Sequence, residues 1–351
     1  ALESCGASLN FSASAQSTWF AGKCLAEDLP LLLEITSECL MQPVFPIEYF
    51  ERMRSQILSA LAIREQDTGD QASLALDRIL FANHPLGNPA DGFPQTIKAI
   101  SRDDLINFQR QYYGADGMLL VVVGGMQPLK ALDLISRYFE NWKSADVKTP
   151  PLPPSPPLLK TIRQHVEVPE KNQMDILIGS NAPARTSPDY LPAYLGNDIL
   201  GQFGMLGRIG ESVRIKSGLA YYAASTLNSW LEGGDWEFMA GVNPSQTEKT
   251  ILLIIQEIKR FTNELVSEEE LNDSRSHLSG QLALSLESNA GLANAILTME
   301  HFQLGLDYYQ SYSNILAAIS AHQILETARR YLNAERLAIV TAGTKPIGKT
   351  E

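Results

Sequence analysis

Two kinds of hydrophobic pattern organise the chain. ASLNFSASAQSTWFAG (7–22) and GLAYYAASTLNSWLEGGDWEFMAGV (218–242) carry the patterning of half-buried strands broken by small and polar turn residues. LPLLLEITSECLM (29–41), PIEYFERMRSQILSAL (46–61), TEKTILLIIQEIKRFTNEL (247–265) and VSEEELNDSRSHLSGQL (266–282) carry helical spacing. MLLVVVGG (118–125) is far too short to span a bilayer and reads as a buried strand.

These elements recur in the same order. AISRDDLINFQRQYYGADGMLLVVVGG (99–125) lies over AISAHQILETARRYLNAERLAIVTAG (318–343) without a gap as far as Gly124 and Gly343. Ile100, Leu105, Arg110, Tyr112, Ala115 and Leu120 fall on Ile319, Ile324, Arg329, Tyr331, Ala334 and Ile339. Ser101 with Asp104, Ser320 with Gln323 and Ser267 with Glu270 stand at capping-box spacing, each opening a helix. In the long helices Phe50 falls on Leu271, Arg54 on Arg275 and Ser55 on Ser276. Each half therefore reads strand, strand, helix, helix, further helices, helix, strand. Adjacent strands with gathered helices predict an α+β fold with largely antiparallel sheets, built from a duplicated domain.

Between the halves KTPPLPPSPPLLK (148–160) holds six prolines, which exclude a helix or a central strand and predict an extended linker. The expected division is a first domain over 1–147, the linker over 148–160 and a second domain over 161–351. A length of 351 residues suits two cores. The formal net charge of −12 argues against nucleic acid and anionic membranes as partners. No apolar run reaches the length of a membrane span, so a soluble protein is expected, while the sequence leaves the compartment open between cytoplasmic and periplasmic. The opening ALESCGASLNF lacks an initiator methionine, a basic n-region and an apolar h-region, and reads as the interior of a longer product. Cys5, Cys24 and Cys39 show neither disulfide nor zinc spacing and are expected to be buried thiols.

One stretch stands out chemically. In VRIKSGLAYYAAS (213–225) Arg214 precedes Tyr221 across a Lys-Ser-Gly turn. On their own, the two residues fit a solvated helix-end charge and a strand residue. Together with the duplication, the proline-rich link and ILGQFGMLGRIGESVRIKSGLAYYAAS (199–225), however, they resemble the M16 peptidases, a family that includes pitrilysin, insulysin and the mitochondrial processing peptidase. Arg214-Ile215-Lys216-Ser217-Gly218-Leu219-Ala220-Tyr221 is similar to the family's helix-ending Arg-Glu-Lys followed by Gly-Leu-Ala-Tyr. GASLNFSASAQSTWF resembles its Gly-Gly-x-x-Asn-Ala-x-Thr strand through Gly6 and Asn10, with Phe11 in place of alanine. The resemblance covers essentially the whole chain. It implies two M16-like domains, the first expected to lack its initial strands and helix.

The family's chemistry combines a zinc site, built on an HxxEH helix with a third glutamate ligand, and an Arg/Tyr pair that holds the substrate backbone and the developing oxyanion. This chain has no HxxEH: His84, His165, His277, His301 and His322 include no i, i+4 pair. Where the family places the third ligand, the chain reads Arg54-Ser55-Gln56-Ile57-Leu58-Ser59-Ala60-Leu61, and neither Ser59 nor Ala60 replaces a carboxylate. Glu65 is a fallback ligand more than a turn away. The resemblance thus implies a chain without a cofactor or metal of its own, inactive alone, that lends Arg214 and Tyr221 to a zinc-bearing HxxEH partner in a heterodimer, or that forms a homodimer. It would act on peptides or unfolded segments. Its chain size and paired-subunit pattern point to a bacterial source.

Substrate contact is expected at Gly201 and Gly204 in the glycine-rich segment, and at Asn10 on an edge strand by β-augmentation. The segment GMLGRIG (204–210) lacks the ending of a phosphate loop. His84 in NHPLGNP and the carboxylates of SEEELND (267–273) read as turn and solvated helix-face residues. The rival expectations are a non-catalytic assembly or peptide-binding protein, like the cytochrome bc1 core subunits, and a fragment of an active zinc peptidase.

Overall fold

The computed structural model describes residues 2–145, 152–202 and 207–345. Along the chain run β1 (Ser8–Ala13), β2 (Thr18–Lys23), α1 (Leu29–Met41), α2 (Ile47–Arg64), α3 (Thr68–Leu80), α4 (Pro94–Ala99), α5 (Arg102–Tyr112) and α6 (Pro128–Phe139). After the proline-rich segment come β3 (Ile162–Glu167), β4 (Met174–Ala182), α7 (Tyr190–Asn197), β5 (Ala220–Ser229), β6 (Gly234–Val242), α8 (Thr247–Asn263), α9 (Glu268–Ser285), α10 (Asn289–His301), α11 (Tyr308–Ala318), α12 (Ala321–Tyr331) and β7 (Ala338–Gly343). Two π-helical stretches, Asp198–Gln202 and Gly210–Lys216, flank residues 203–206.

Contacts divide the chain into two compact units, each discontinuous in sequence. The first comprises Ala1–Leu61, Pro89–Pro151 and Ser285–His301. Its β1 and β2 form an antiparallel hairpin with Asn10 opposite Ala21 and Phe11 opposite Phe20. Helix α1 buries Leu29, Leu32, Leu33, Thr36, Ser37 and Leu40, a stripe at helical spacing that meets Leu134 and Phe139 of α6. The strand expected at 118–125 does not form: among the described residues it has no ladder partner, and Leu119 and Val122 are exposed while Met118 and Leu120 pack on the α1/α6 cluster. Hydrophobic content alone does not make a strand, because the ladder needs a neighbour to satisfy its backbone. The expectation of buried thiols also fails: Cys5 and Cys24 are only half-buried and Cys39 is exposed, and none of the three is in a disulfide among the described residues. Cys39 precedes the core residue Leu40 and so falls on the outward face of α1.

The second unit comprises Ala62–Asn88, Leu152–Leu284 and Phe302–Glu351. Its five-stranded sheet runs β3-β7-β4-β6-β5, antiparallel except for the β3–β7 pair. Period-two alternation assigns each face. Ile176, Ile178, Trp236, Phe238 and Ala240 form one large cluster with α7, α8, α9 and α12. Leu177 and Val340 meet Ala72, Ala75, Leu76 and Leu80 of α3 on the other. Trp236 Nε1 donates to Asn197 Oδ1 at 3.0 Å, pinning α7 to the sheet. Part of the proline-rich segment belongs to this packing: Leu158 lies against the α3 cluster, and Pro153 O accepts from Nε2 of the buried turn residue His84 at 2.8 Å. The units follow contacts; the division at 148–160 follows the repeat and stands as a proposal about the origin of the halves.

All three capping boxes form. Ser101 Oγ, Ser267 Oγ and Ser320 Oγ accept from the amides of Asp104, Glu270 and Gln323, whose side chains accept in return from the serine amides.

Candidate functional site

The site is built where the second π-helical stretch hands over to β5. Val213 is fully buried and anchors Gly210–Lys216 against the sheet. The stretch ends in a glycine turn: Gly218 has φ +62, its amide donates to Arg214 O at 3.0 Å, and Leu219 N donates to Val213 O at 3.1 Å. Arg214, one turn before that glycine, is exposed, and neither its guanidinium nor the Tyr221 hydroxyl has a hydrogen-bond or ion-pair partner among the described residues. The neighbouring Lys216 differs, pairing with Glu211 at 3.1 Å.

Strand β5 then opens with an irregularity. Ala220 stands opposite Val242, but Tyr222 stands opposite Gly241, so Tyr221 is an extra residue in the ladder. Such a bulge re-aims the side chain it carries, and Tyr221 is 64% exposed. The turn and the bulge thus leave two hydrogen-bond donors unpaired at adjacent ends of one loop. Both donate to carbonyl or oxyanion oxygens, and the phenol also accepts.

Beneath the bulge lies a buried carboxylate. Asp175 on β4, 2% exposed, accepts from Tyr222 Oη at 2.5 Å and Gln173 Nε2 at 2.8 Å through Oδ1, and from Thr68 Oγ1 of α3 through Oδ2. Burial of the Tyr222 hydroxyl, then its bond to Asp175 and that carboxylate's charge, push the phenol well above its ordinary value. Tyr222 as a whole residue is 37% exposed, and its hydroxyl is the end tied to the buried Asp175. Sequence patterning missed Asp175 and Tyr222. The signals were present: an aspartate heading the apolar run MDILIGS and a glycine inside the apolar strand β6.

The glycine-rich neighbourhood explains itself through packing. A Cβ on Gly201 would lie 2.5 Å from Ser225 N and 3.0 Å from Ala224 C, and one on Gly207 would lie 2.6 Å from Gly201 Cα. The first π-helical stretch therefore touches β5 backbone to backbone. Gly204 lies outside the described residues. Asp198, in the same stretch and fully buried, accepts from Ser274 Oγ at 2.7 Å and holds His277 Nδ1 at 2.9 Å. Burial raises its carboxyl, and the bonds to Ser274 and His277 offset part of that rise. Arg208, 7% exposed, forms a two-pronged pair with Glu270 of α9. Asn10 is exposed on β1, whose outer edge has no strand neighbour among the described residues.

On α2 the side chains do not suit a metal. Ser59 Oγ donates to Ser55 O at 2.9 Å, the ordinary back-bond of a helical serine, and Ala60 has no donor atom. Glu65 is exposed just past the helix. Among the described residues no group of three or more His, Cys, Asp or Glu side chains could hold an ion, and no helix is long and apolar enough to cross a membrane.

Comparison with known proteins agrees with this architecture. Residues 99–278 match the family model described as peptidase M16 inactive domain, and residues 1–92 match that of insulinase, peptidase family M16. An uncharacterized zinc protease of Streptomyces coelicolor is 26% identical over 302 residues, covering 84% of this chain and 65% of the relative. The mitochondrial-processing peptidase subunit beta of Saccharomyces cerevisiae is 26% identical over 311 residues, 84% of this chain and 66% of its own. The chain thus spans just under two thirds of the length of these curated relatives. A crystal structure of a peptidase M16 inactive domain from Pseudomonas fluorescens superposes with a TM-score of 0.91 at 23% identity, over 99% of this chain and 83% of that one. With the inactive-domain match alone covering more than half of its residues, the chain belongs to the M16 peptidase family.

Proposed function

We propose that this chain is the non-zinc half of an M16 peptidase pair and that Arg214 and Tyr221 donate hydrogen bonds to a peptide held at the zinc of an HxxEH-bearing partner. The observation that carries the reading is that both donors, at the Gly218 turn and the Tyr221 bulge, lack a partner among the described residues, taken together with Ser59 and Ala60 on α2, which cannot ligate zinc. A helix-end guanidinium and a bulged phenol can converge on one carbonyl and stabilise the charge that develops there. The substrate class is a short or unfolded peptide, because an extended backbone is what such donors and the free edge of β1 at Asn10 can bind. Gly201 supports the arrangement by bringing the π-helical stretch against β5, and substrate contact at Gly204, which lies outside the described residues, belongs to the same proposal.

The test uses the full-length protein and whatever co-purifies with it from its own cells. A co-eluting chain of similar size that bears HxxEH is the expected partner. In that pair Arg214→Ala lowers peptide turnover on the order of 10²-fold, the loss expected for one oxyanion donor. Unchanged turnover would remove Arg214 from the chemistry. A stable complex with no peptidase activity would instead make the chain an assembly subunit, and stoichiometric zinc on the lone chain would overturn the reading of Ser59 and Ala60.

A further inference from the structure

Three residues on three strands form one row across the sheet: Asp175 on β4 faces Gly241 on β6, and Gly241 faces Tyr222 on β5. Tyr222 bonds not to its neighbouring strand but to the one beyond it, reaching Asp175 Oδ1 at 2.5 Å. It crosses β6 because position 241 has no side chain. A Cβ there would lie 2.3 Å from Tyr222 Cε1 and 2.9 Å from Gln173 Nε2. At the far end Thr68, the first residue of α3, holds the second oxygen of Asp175, and Asp67 caps that helix by accepting from Asp70 N. Helix α3, β4 and the first residues of β5 are therefore tied together at one buried carboxylate.

The tie lies one residue from the bulge. A bulged residue has no ladder partner of its own, so its direction is set by the residues on either side. Ala220 is fixed by pairing with Val242 and by packing on the large core cluster. Tyr222 is fixed by pairing, by its ring on Gly241 and by the bond to Asp175. We infer that Asp175, acting through Tyr222 across Gly241, is the positioning group that holds the Tyr221 hydroxyl in its working direction. The inference rests on the proposed role of Tyr221. It adds a purpose for the buried carboxylate and for the tyrosine doublet.

A merely structural Asp175 would affect stability wherever Tyr221 points. A positioning Asp175 affects turnover only while Tyr221 has a hydroxyl to aim, so the test is a double-mutant cycle in the full-length protein with its co-purified partner. Tyr222→Phe keeps the ring over Gly241 and removes only the bond. It is expected to lower kcat on the order of tenfold with little change in KM, as for a misaimed catalytic group. In the Tyr221→Phe background the same change is expected to cause no further loss. Should Tyr222→Phe lose its fold, judged by circular dichroism and melting, Asp175→Asn takes its place in the same cycle. Additive losses, or a Tyr222→Phe enzyme with unchanged kcat, overturn the inference while leaving Tyr221 in the site. If Tyr221→Phe itself leaves turnover intact, the proposed role of Tyr221 falls and this inference falls with it.

Discussion

Arg208 closes a two-pronged ion pair on Glu270, Nε to Oε1 at 2.6 Å and Nη2 to Oε2 at 2.8 Å. The same carboxylate receives the amide and hydroxyl of Ser267, both at 2.9 Å, so one side chain completes the N-terminus of α9 and anchors Arg208, two residues before Gly210–Lys216. Arg208 also lies over the Phe261 ring, 5.5 Å from its centroid. Arg208→Ala would leave the half-buried Glu270 carboxylate with its capping bonds alone. The expected cost is about 2 kcal/mol, below the range for a fully buried pair because the Glu270 side chain is 31% exposed. Denaturant unfolding at low and high salt checks it: a loss that disappears in salt would place the pair in the exposed class.

Glu270 also sets an acid limit. Burial alone would raise its carboxyl, but the Arg208 bonds, the Ser267 amide and the Arg208 charge outweigh it and lower the group to about 2. A carboxyl depressed in the folded state adds stability above its unfolded value and loses it as pH falls through the folded one. The contribution should therefore fade from about pH 4.5 toward 2. Glu270→Gln should flatten that limb of the melting profile. A variant with an unaltered acid limb would rule Glu270 out as its source.

The opposite sign holds on the other face of the sheet. Asp77 of α3 is raised by burial to about 6. Asp235 and Glu237, two residues apart on one face of β6, are each raised first by burial; neighbouring carboxylate charge adds to the rise. Asn228 Nδ2 donates to Asp235 Oδ1 at 2.8 Å and lessens it there. Groups so raised stabilise the fold while protonated, below their unfolded values, and that contribution is lost as pH rises through about 6 and beyond. Melting temperature should fall between about pH 4 and 8. Glu237→Gln should make that fall shallower, with Asp77 and Asp235 supplying the rest, and an equally steep fall in that variant would rule Glu237 out as a source.

The contrast between what was readable and what was not follows the range of the interactions. Helix α1 matches its sequence pattern from Leu29 to Met41, and the capping boxes at Ser101, Ser267 and Ser320 close as their spacing predicts, because both ends of each interaction lie within one turn. The α+β class was legible through the repeat. The strand expected at 118–125 does not form because a strand is defined by a neighbour, and its local apolar pattern resembles that of β7, which is buried between β3 and β4. Arg214 and Tyr221 were legible as a resemblance. The bulge at Tyr221 and the crossing from Tyr222 to Asp175 depend on register across three strands, which no local spacing encodes.

Gly201 illustrates a residue whose chemistry is absence. Its missing Cβ would meet the backbone of Ser225 and Ala224, which cannot swing aside as a flexible side chain could. Gly201→Ala should therefore push the first π-helical stretch off β5 and cost about 1–3 kcal/mol, the usual penalty of overpacking. Hydrogen exchange should localise the damage, with protection lost at Ser225 before the β4–β6 ladder loosens. Uniform loss across the sheet would argue against a local clash.

Arg54 and Arg275 occupy equivalent places in the two halves and both reach the carbonyl before a capping box, Ile100 for one and Ile319 for the other. Their surroundings differ. Arg275 donates to Ile319 O at 2.6 Å, Ala317 O at 3.1 Å and Leu316 O at 3.2 Å, gathering the end of α11 with one planar fork. Arg54 spends its Nη1 on Glu51 of its own helix and leaves Nε buried without a partner. A lysine cannot reproduce a fork of three carbonyl bonds but can reach a single one. Arg275→Lys should therefore cost about 2 kcal/mol and Arg54→Lys less than about 1. Paired unfolding curves decide it. Equal losses would mean that the repeat has kept one function for the two arginines, whereas the expected inequality assigns the tighter clamp to the half that carries Arg214 and Tyr221.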